Sequence, residues 1–416
     1  MIVLLLSLLI SPKVLAEAEV SSKGELRLEN RFFNNDDQAS TQDFGSGLAG
    51  RLEVDRSSGN WNQRIQLFSR VDRKDSTRQR MNIEEAYVQY LSENWVFAGG
   101  YKTLNWSTAE AFHPTDIINS RNFDGPLENA EKIGELMLSA QYLSESFNLF
   151  AAIMPNLARP QLPMSSNRLS FAPQGIAVEE VQFVNNDGEI KEIDDFVSQW
   201  ALRGQFLIDD WELNLYWVHH FDRTDFQPLI NLTNGQLVPL LSEVDHYGLS
   251  FQYVWDSLII KSENVYRNFQ EQTQISSFNN QLIRRDYGMS SLALEYLMPH
   301  ESGSETTLIL EFQSLLGVDK NFRYNINPFQ RDLLVAARHA FNDVKGKEIF
   351  LALISDVERG REILASISYS QRLSDVWKIK LGARYIDAPP SSNIDFTGMR
   401  PLNNDHQLDI TISRFF

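Results

Sequence analysis

Segments of about ten residues in which every second side chain is apolar recur along this chain, and the links between them alternate between short and long. Residues 44–54 set Phe44, Leu48, Leu52 and Val54 against Arg51 and Glu53. Residues 61–71 set Trp61, Ile65, Leu67 and Val71 against Asn62, Arg64, Gln66 and Arg70. Residues 377–385 set Trp377, Ile379, Leu381, Ala383 and Tyr385 against Lys378, Lys380, Gly382 and Arg384. A period of two is a strand with one apolar and one polar face. Both a soluble sandwich and a membrane barrel satisfy that pattern; they differ in where the apolar face points.

The links separate the two. Eighteen strands are predicted near 24–33, 43–55, 61–72, 82–91, 94–103, 134–144, 146–155, 197–208, 210–221, 244–255, 257–270, 285–298, 304–316, 331–341, 347–356, 361–373, 376–386 and 406–416. Tight turns fall at Arg56–Asn60, Ser92–Glu93, Glu145, Asp209, Asp256, Pro299–Gly303, Asn342–Gly346 and Ser374–Asp375. Between them lie 34–42, 73–81, 104–133, 156–196, 222–243, 271–284, 317–330 and 387–405, and only 357–360 is short. Short turns at one end and long loops at the other describe an all-β, antiparallel up-and-down transmembrane barrel of 16–18 strands. The Ala-rich run 331–341 suits a helix as well as a strand.

Composition removes competing classes. The chain has no Cys, which excludes disulfide scaffolds, thiolate metal sites, Cys nucleophiles and acylated lipoproteins. A net charge of -17 argues against nucleic acid as a partner. The mean hydropathy of -0.31 and 22% charged residues exclude a helical membrane protein. Residues 1–16, an apolar run ending Val14-Leu15-Ala16, are expected to be a cleaved signal peptide, leaving 17–416 as the barrel. No plug-sized segment precedes the first strand, which argues against a receptor with a plug domain. Trp61, Trp95, Trp211, Trp255 and Trp377 sit beside the short turns, as an interfacial girdle requires.

Two local patterns resemble known families. The C-terminal run His406-Gln-Leu-Asp-Ile-Thr-Ile-Ser-Arg-Phe-Phe416 resembles the last-strand signal of Gram-negative outer-membrane proteins. That resemblance implies insertion by the barrel assembly machinery, with Phe416 as the assembly signal. Thr103-Leu104-Asn105-Trp106 followed by His113-Pro114-Thr115-Asp116-Ile117-Ile118-Asn119 resembles a loop of a porin-like family related to alginate-export-type barrels.

Ionisable residues at membrane depth must face water or each other. The inward face carries Arg27, Arg31, Arg51, Arg64, Arg70, Lys102, Arg203, Lys261, Arg267, Arg338, Arg372, Lys378, Lys380 and Arg384. Against them stand Glu29, Glu53, Glu85, Glu212, Glu263, Glu295, Glu311, Glu362 and Asp409. A wetted, net-basic wall is expected to favour anions, with the strongest field at Lys378, Lys380 and Arg384. The loop 104–133 has an apolar side (Trp106, Phe112, Ile117, Ile118, Phe123, Leu127) and a polar one (His113, Asp116, Arg121, Asp124, Glu128), the composition of a segment folded into the lumen to constrict it. His219 and His220, adjacent on a strand, point to opposite faces and cannot share an ion. Asp187, Glu189 and Asp194 in the acidic loop are a candidate Ca²⁺ site, and Asn186-Asp187-Gly188 reads as a hairpin turn.

The expectation is a non-enzymatic outer-membrane channel, without cofactors, passing or exporting polar, in particular anionic, solutes. Its partners would be outer-membrane lipid, lipopolysaccharide, the assembly machinery and a small polar solute, and its state a monomer or homotrimer. Rival readings are a structural or adhesion barrel with a closed lumen and partner-binding loops, and a transporter of hydrophobic compounds.

Overall fold

The computed structural model describes residues 18–34, 43–125, 130–163, 167–172, 176–225, 227–231, 233–269, 285–390 and 397–416. The expected signal peptide and the positions of Leu127 and Glu128 lie outside the described residues. The first nine strands of the barrel wall are β1 (Glu19–Phe33), β2 (Phe44–Ser58), β3 (Trp61–Asp72), β4 (Arg80–Ser92), β5 (Trp95–Lys102), β6 (Glu135–Leu143), β7 (Phe147–Met154), β8 (Gln199–Ile208) and β9 (Trp211–Phe221). The other nine are β10 (Leu237–Trp255), β11 (Leu258–Asn268), β12 (Tyr287–Pro299), β13 (Glu305–Leu316), β14 (Arg331–Ala340), β15 (Glu348–Asp356), β16 (Ile363–Arg372), β17 (Trp377–Asp387) and β18 (Gln407–Phe415). Each pairs antiparallel with its sequence neighbour, and β18 pairs with β1 through Arg27↔Ser413 and Arg31↔Asp409, so the sheet closes. Closure leaves no open edge in the wall, the condition for a sheet to cross lipid.

The short turns need left-handed backbone, and the sequence supplies residues that tolerate it. Asp209, Asp256 and Asn342 hold φ near +50°, a region that Asp and Asn enter at little cost because their short side chains bond locally. The Ala-rich run is strand β14, paired on both sides with β13 and β15. Tertiary pairing overrides helix propensity there.

The outer surface is apolar around the whole circumference. Leu28, Leu52, Leu138, Leu215, Leu292, Val335, Leu353 and Leu408 are each between 44% and 59% exposed. The five girdle tryptophans are between 41% and 64% exposed beside the short turns. A soluble protein does not expose a continuous belt of this kind. The seam is closed by the C-terminus: Gly24 and Phe416 exchange backbone hydrogen bonds of 2.9 and 3.0 Å. A Cβ on Gly24 would lie 2.1 Å from the Phe416 ring, so the ring as placed rests over a position without a side chain.

Two elements differ from the sequence reading. β10 begins at Leu237, not 244, and extends beyond the wall as a small second sheet, antiparallel to Gln227–Ile230 and parallel to Gln182–Val184. Leu237, Val238, Leu240 and Leu241 are all buried, so this stretch lacks the alternation that marks a one-sided strand. A short helix, α1 (Lys320–Ile326), stands in the loop 317–330, its N-terminus capped by Asp319, which accepts from the amides of Asn321 and Phe322 at 3.1 Å.

Candidate functional site: the lumen and its inward loop

The segment between β5 and β6 runs inside the barrel. Its apolar side chains split between two walls. Trp106, Ile117 and Ile118 pack on Met137, Ala152, Met154, Ala201, Tyr216 and Val218 of β6–β9, while Phe112 packs with Leu334, Ile354 and Leu364 of β14–β16. The loop therefore crosses the lumen. Two wall carboxylates anchor it from β11 and β13. Glu263 accepts from Ser107 Oγ (2.6 Å), the Thr108 amide (3.0 Å), and the Thr115 amide and hydroxyl (3.2 and 2.7 Å). Glu311 accepts from the amides of Glu110 (2.5 Å), Ala111 (3.0 Å) and Phe112 (3.3 Å). Buried amides without strand partners would cost about 1–3 kcal/mol each, and these two carboxylates satisfy five of the sites at which the loop meets the wall. The root of the loop is close-packed: a Cβ on Gly134 would sit 2.5 Å from the Glu84 carbonyl oxygen.

Of the five polar loop residues expected at a constriction, Asp116 and Arg121 bind each other at 2.6 Å and Lys132 joins them at 2.5 Å, forming the loop's own buried interior. His113 Nδ1 lies 2.9 Å from Ser107 Oγ. Asp124 faces the wall, 3.0 Å from Arg70, and Arg31 donates to its backbone carbonyl at 2.7 Å. Burial alone would raise the Asp124 carboxyl, but Arg70, Arg80, Arg31 and Arg78 outweigh it and hold the group below its ordinary value. Glu128 lies outside the described residues.

Inward orientation and access to the lumen are different properties, and the inward cations differ in how far neighbouring groups engage them. Arg51 grips Glu84 through two bonds of 2.7 and 2.6 Å. Arg64 pairs with Glu85 at 2.5 Å, and Arg70 with Glu29 at 2.9 Å. Both Glu84 and Glu85 reach inward because the β3–β4 register shifts at Gln66/Leu67, a bulge that the alternation did not reveal. Four guanidinium groups, of Arg27, Arg51, Arg70 and Arg80, lie 4.9–5.6 Å from the Phe68 ring centroid. Lys102 sits over the Tyr87 ring, and Arg203 under Trp106 and Tyr216 while bonded to Asn214 at 2.8 Å. Lys261 is held by Glu295 at 2.5 Å and donates to the Thr108 carbonyl. Arg267 is buried at the loop end of the barrel between Asp222 and Asp225. These side chains build the wall; their charge is spent on neighbours.

The opposite wall is different. An open space of about 690 Å³ runs from Glu25 and Phe415 at the short-turn end to Arg384 and Gln407, with Arg27, Arg31, Arg70, Asp124 and Glu131 on one side and Arg338, Lys378 and Lys380 on the other. Arg338 pairs with Glu110 of the loop at 2.6 Å. Arg372 is exposed at the short-turn end, opposite Lys378. Lys378 and Lys380 make no ion pair or hydrogen bond among the described residues. Beside them on β16, Ser366, Ser368 and Ser370 alternate with lipid-facing residues. That hydroxyl column escapes a search for charge, yet Ser-Ile-Ser-Tyr-Ser is legible in the chain as a period-two run whose inward members are all serine.

The remaining candidates separate cleanly. His219 is on the outer side, between Glu243 and Asp245 at 3.1 Å each, and His220 is buried inside. Asn186-Asp187-Gly188 forms the turn of the small hairpin Gln182–Val184 with Ile190–Lys191. Glu189 is bonded to Lys191 at 2.8 Å, and among the described residues no three acidic or His side chains, Asp187, Glu189 and Asp194 included, converge on a metal position.

A closed barrel with an apolar outer belt, aromatic girdle and polar interior defines this chain as a β-barrel of the Gram-negative outer-membrane class. No family model matches the chain, nor does any curated protein, so the likeness to alginate-export-type barrels gains no support. Among solved structures the chain is similar to Salmonella typhi OmpF in complex with daunomycin, at 7% identity over 96% of this chain and 98% of that one, with a TM-score of 0.49. It is also similar to a triple mutant of Rhodopseudomonas blastica porin (10% identity, 96% and 100% covered, TM-score 0.42). A loop-deletion mutant of OmpT, an outer membrane protein of Vibrio cholerae, gives 12% identity, 96% and 100% coverage and a TM-score of 0.42.

Proposed function

We propose that the protein is a channel for small polar solutes with a preference for anions. The observation that carries this reading is the open lumen of about 690 Å³ flanked by Lys378 and Lys380, two cations with no counter-acid bound to them among the described residues. A low-dielectric wall focuses the field of charges that border the water path, whereas charges in outer loops are screened beyond a Debye length of ~8 Å. The acidic surplus of the whole chain therefore does not set the sign of the pore. The inward loop, anchored by Glu263 and Glu311, occupies the other part of the cross-section and acts as the constriction.

A second reading, a barrel with a shut lumen and partner-binding loops, draws on the apolar cluster that joins Phe112, Leu169, Phe329, Met399 and Leu402 across the long-loop side. Conductance of the folded protein in a planar bilayer separates the two. Ionic current with a reversal potential on the anion side supports the channel. Folded protein that carries no current sinks it.

A further inference from the structure

The lumen wall of β16–β18 is ordered in rows. Counting from the short-turn end, Lys378 stands between Arg372 and Ser413, Lys380 between Ser370 and Thr411, Gly382 between Ser368 and Asp409, and Arg384 between Ser366 and Gln407. Side chains directly opposite on neighbouring strands are about 5 Å apart, and successive rows about 7 Å apart. Lys380 and Arg384 thus have a serine on β16 and a hydroxyl or amide group on β18 beside them, whereas Lys378 has Arg372 on one side and Ser413 on the other. Ser366, Ser368 and Ser370 have no side-chain partner among the described residues, nor do Lys380 and Thr411. Lys380 is exposed, standing above its short neighbours. Resting on the channel reading above, we infer that these rows form a binding track for tetrahedral oxyanions of the phosphate or sulfate class.

The chemistry distinguishes such a track from a merely positive field. A cation alone attracts any anion in proportion to charge. A tetrahedral oxyanion carries acceptor oxygens in several directions, so it can face Lys380 while accepting from Ser370 on one side and Thr411 on the other. Hydrogen bonds to an ionised acceptor are the strong ones. Chloride accepts from any direction but is a single sphere with less reach between donors on opposite sides, and a planar carboxylate directs both its oxygens within one plane. The repeat of rows gives a bound anion a next site about 7 Å along the strand. Two acids border the track: Asp409 lies 3.7 Å from Arg31 of the neighbouring strand, which reduces its repulsion of a passing anion, and Glu348 on β15 stands opposite Ser370 and marks the outer edge of that row.

Inorganic phosphate is the probe. Calorimetry on the detergent-folded protein reads binding directly, whether or not the barrel conducts. Saturable phosphate binding is expected, weakened by about tenfold in Ser366→Ala/Ser368→Ala/Ser370→Ala, as the loss of hydrogen bonds to an ion implies, and weakened also in Lys380→Gln. Heat-modifiable migration checks that both variants fold. In bilayers, phosphate added to chloride should reduce current saturably in the parent and less in the serine variant, while both keep the same reversal potential in a chloride gradient. Acetate at equal charge should not block. Binding unchanged by the serine substitutions, or acetate as effective as phosphate, overturns the track while leaving an anion-selective pore in place. A cation-selective or silent barrel overturns the channel reading instead, and phosphate binding lost with the serines would still uphold the track.

Discussion

Two walls of one barrel both carry inward cations and put them to opposite uses. On β1–β4, Arg51, Arg64 and Arg70 are each held by at least one carboxylate within 3.0 Å, and Arg78 and Arg80 from the adjoining loop and strand complete a network around Glu29, Asp124, Glu131 and Phe68. On β16–β17, Lys378 and Lys380 project from a strand whose inner neighbours are serine, threonine and arginine. The first wall is a scaffold that grips the inward loop; the second borders the open space. What separates them is the partner supplied by the next strand and by the loop, since orientation is the same in both.

The largest effect should come from removing the element that divides the walls. Deleting 108–128 is expected to raise single-channel conductance several-fold and admit larger solutes, measured in bilayers and by liposome swelling. Conductance and size cutoff equal to the parent would mean that the loop does not limit the path. Arg70→Ala strikes the scaffold wall. It leaves Glu29 and Asp124 short of a buried counter-charge, which costs about 3–5 kcal/mol and should appear as a lower unfolding temperature with little change in ion selectivity. If selectivity collapses while stability holds, the division of labour is reversed.

Lys380→Glu strikes the other wall. The reversal potential in a salt gradient should move toward cations, with the unfolding temperature nearly unchanged because the side chain has no ion pair or hydrogen bond to lose among the described residues. An unmoved potential would assign the field to the loops or the counter-acids. The smallest effect concerns pH. The Asp124 carboxyl is held below its ordinary value of 3.8 by the arginines around it, against the upward push of burial. A depressed carboxyl contributes stability above its unfolded value and loses it as pH falls through the folded one. Loop anchoring on the scaffold wall should therefore hold at neutral pH and weaken below about pH 4. Current noise and proteolysis of the loop, followed in Asp124→Asn and in the parent, check this: the variant should show at neutral pH part of the loosening that the parent shows only in acid.

Much of the architecture was legible because lipid imposes a strict rule. Each wall strand must alternate and each must pair, so period two and the sorting of links by length suffice to count strands and find the girdle tryptophans. The exceptions follow from the same rule. Residues 237–242 leave the membrane and are buried on both faces, so they carry no alternation, and the bulge at Gln66/Leu67 shifts register without changing composition. Trp106, Phe112 and Ile117 were legible as an apolar side, but not that they divide between two facing walls.

By itself the sequence determined the barrel, its strand order, which side chains face inward away from the bulge at Glu84 and Glu85, and which loop has the composition to enter the lumen. These are local properties, set by a two-residue repeat and by turn chemistry. Only the tertiary structure decided which inward charges are available. Arg64 meets Glu85 through a bulge and Arg338 meets Glu110 across 228 positions of chain, whereas Lys380 meets serine and threonine. Neutralisation depends on which carboxylate closure brings within about 4 Å, where the interaction of two charges rises steeply, and nothing in the spacing of residues along one strand encodes that distance.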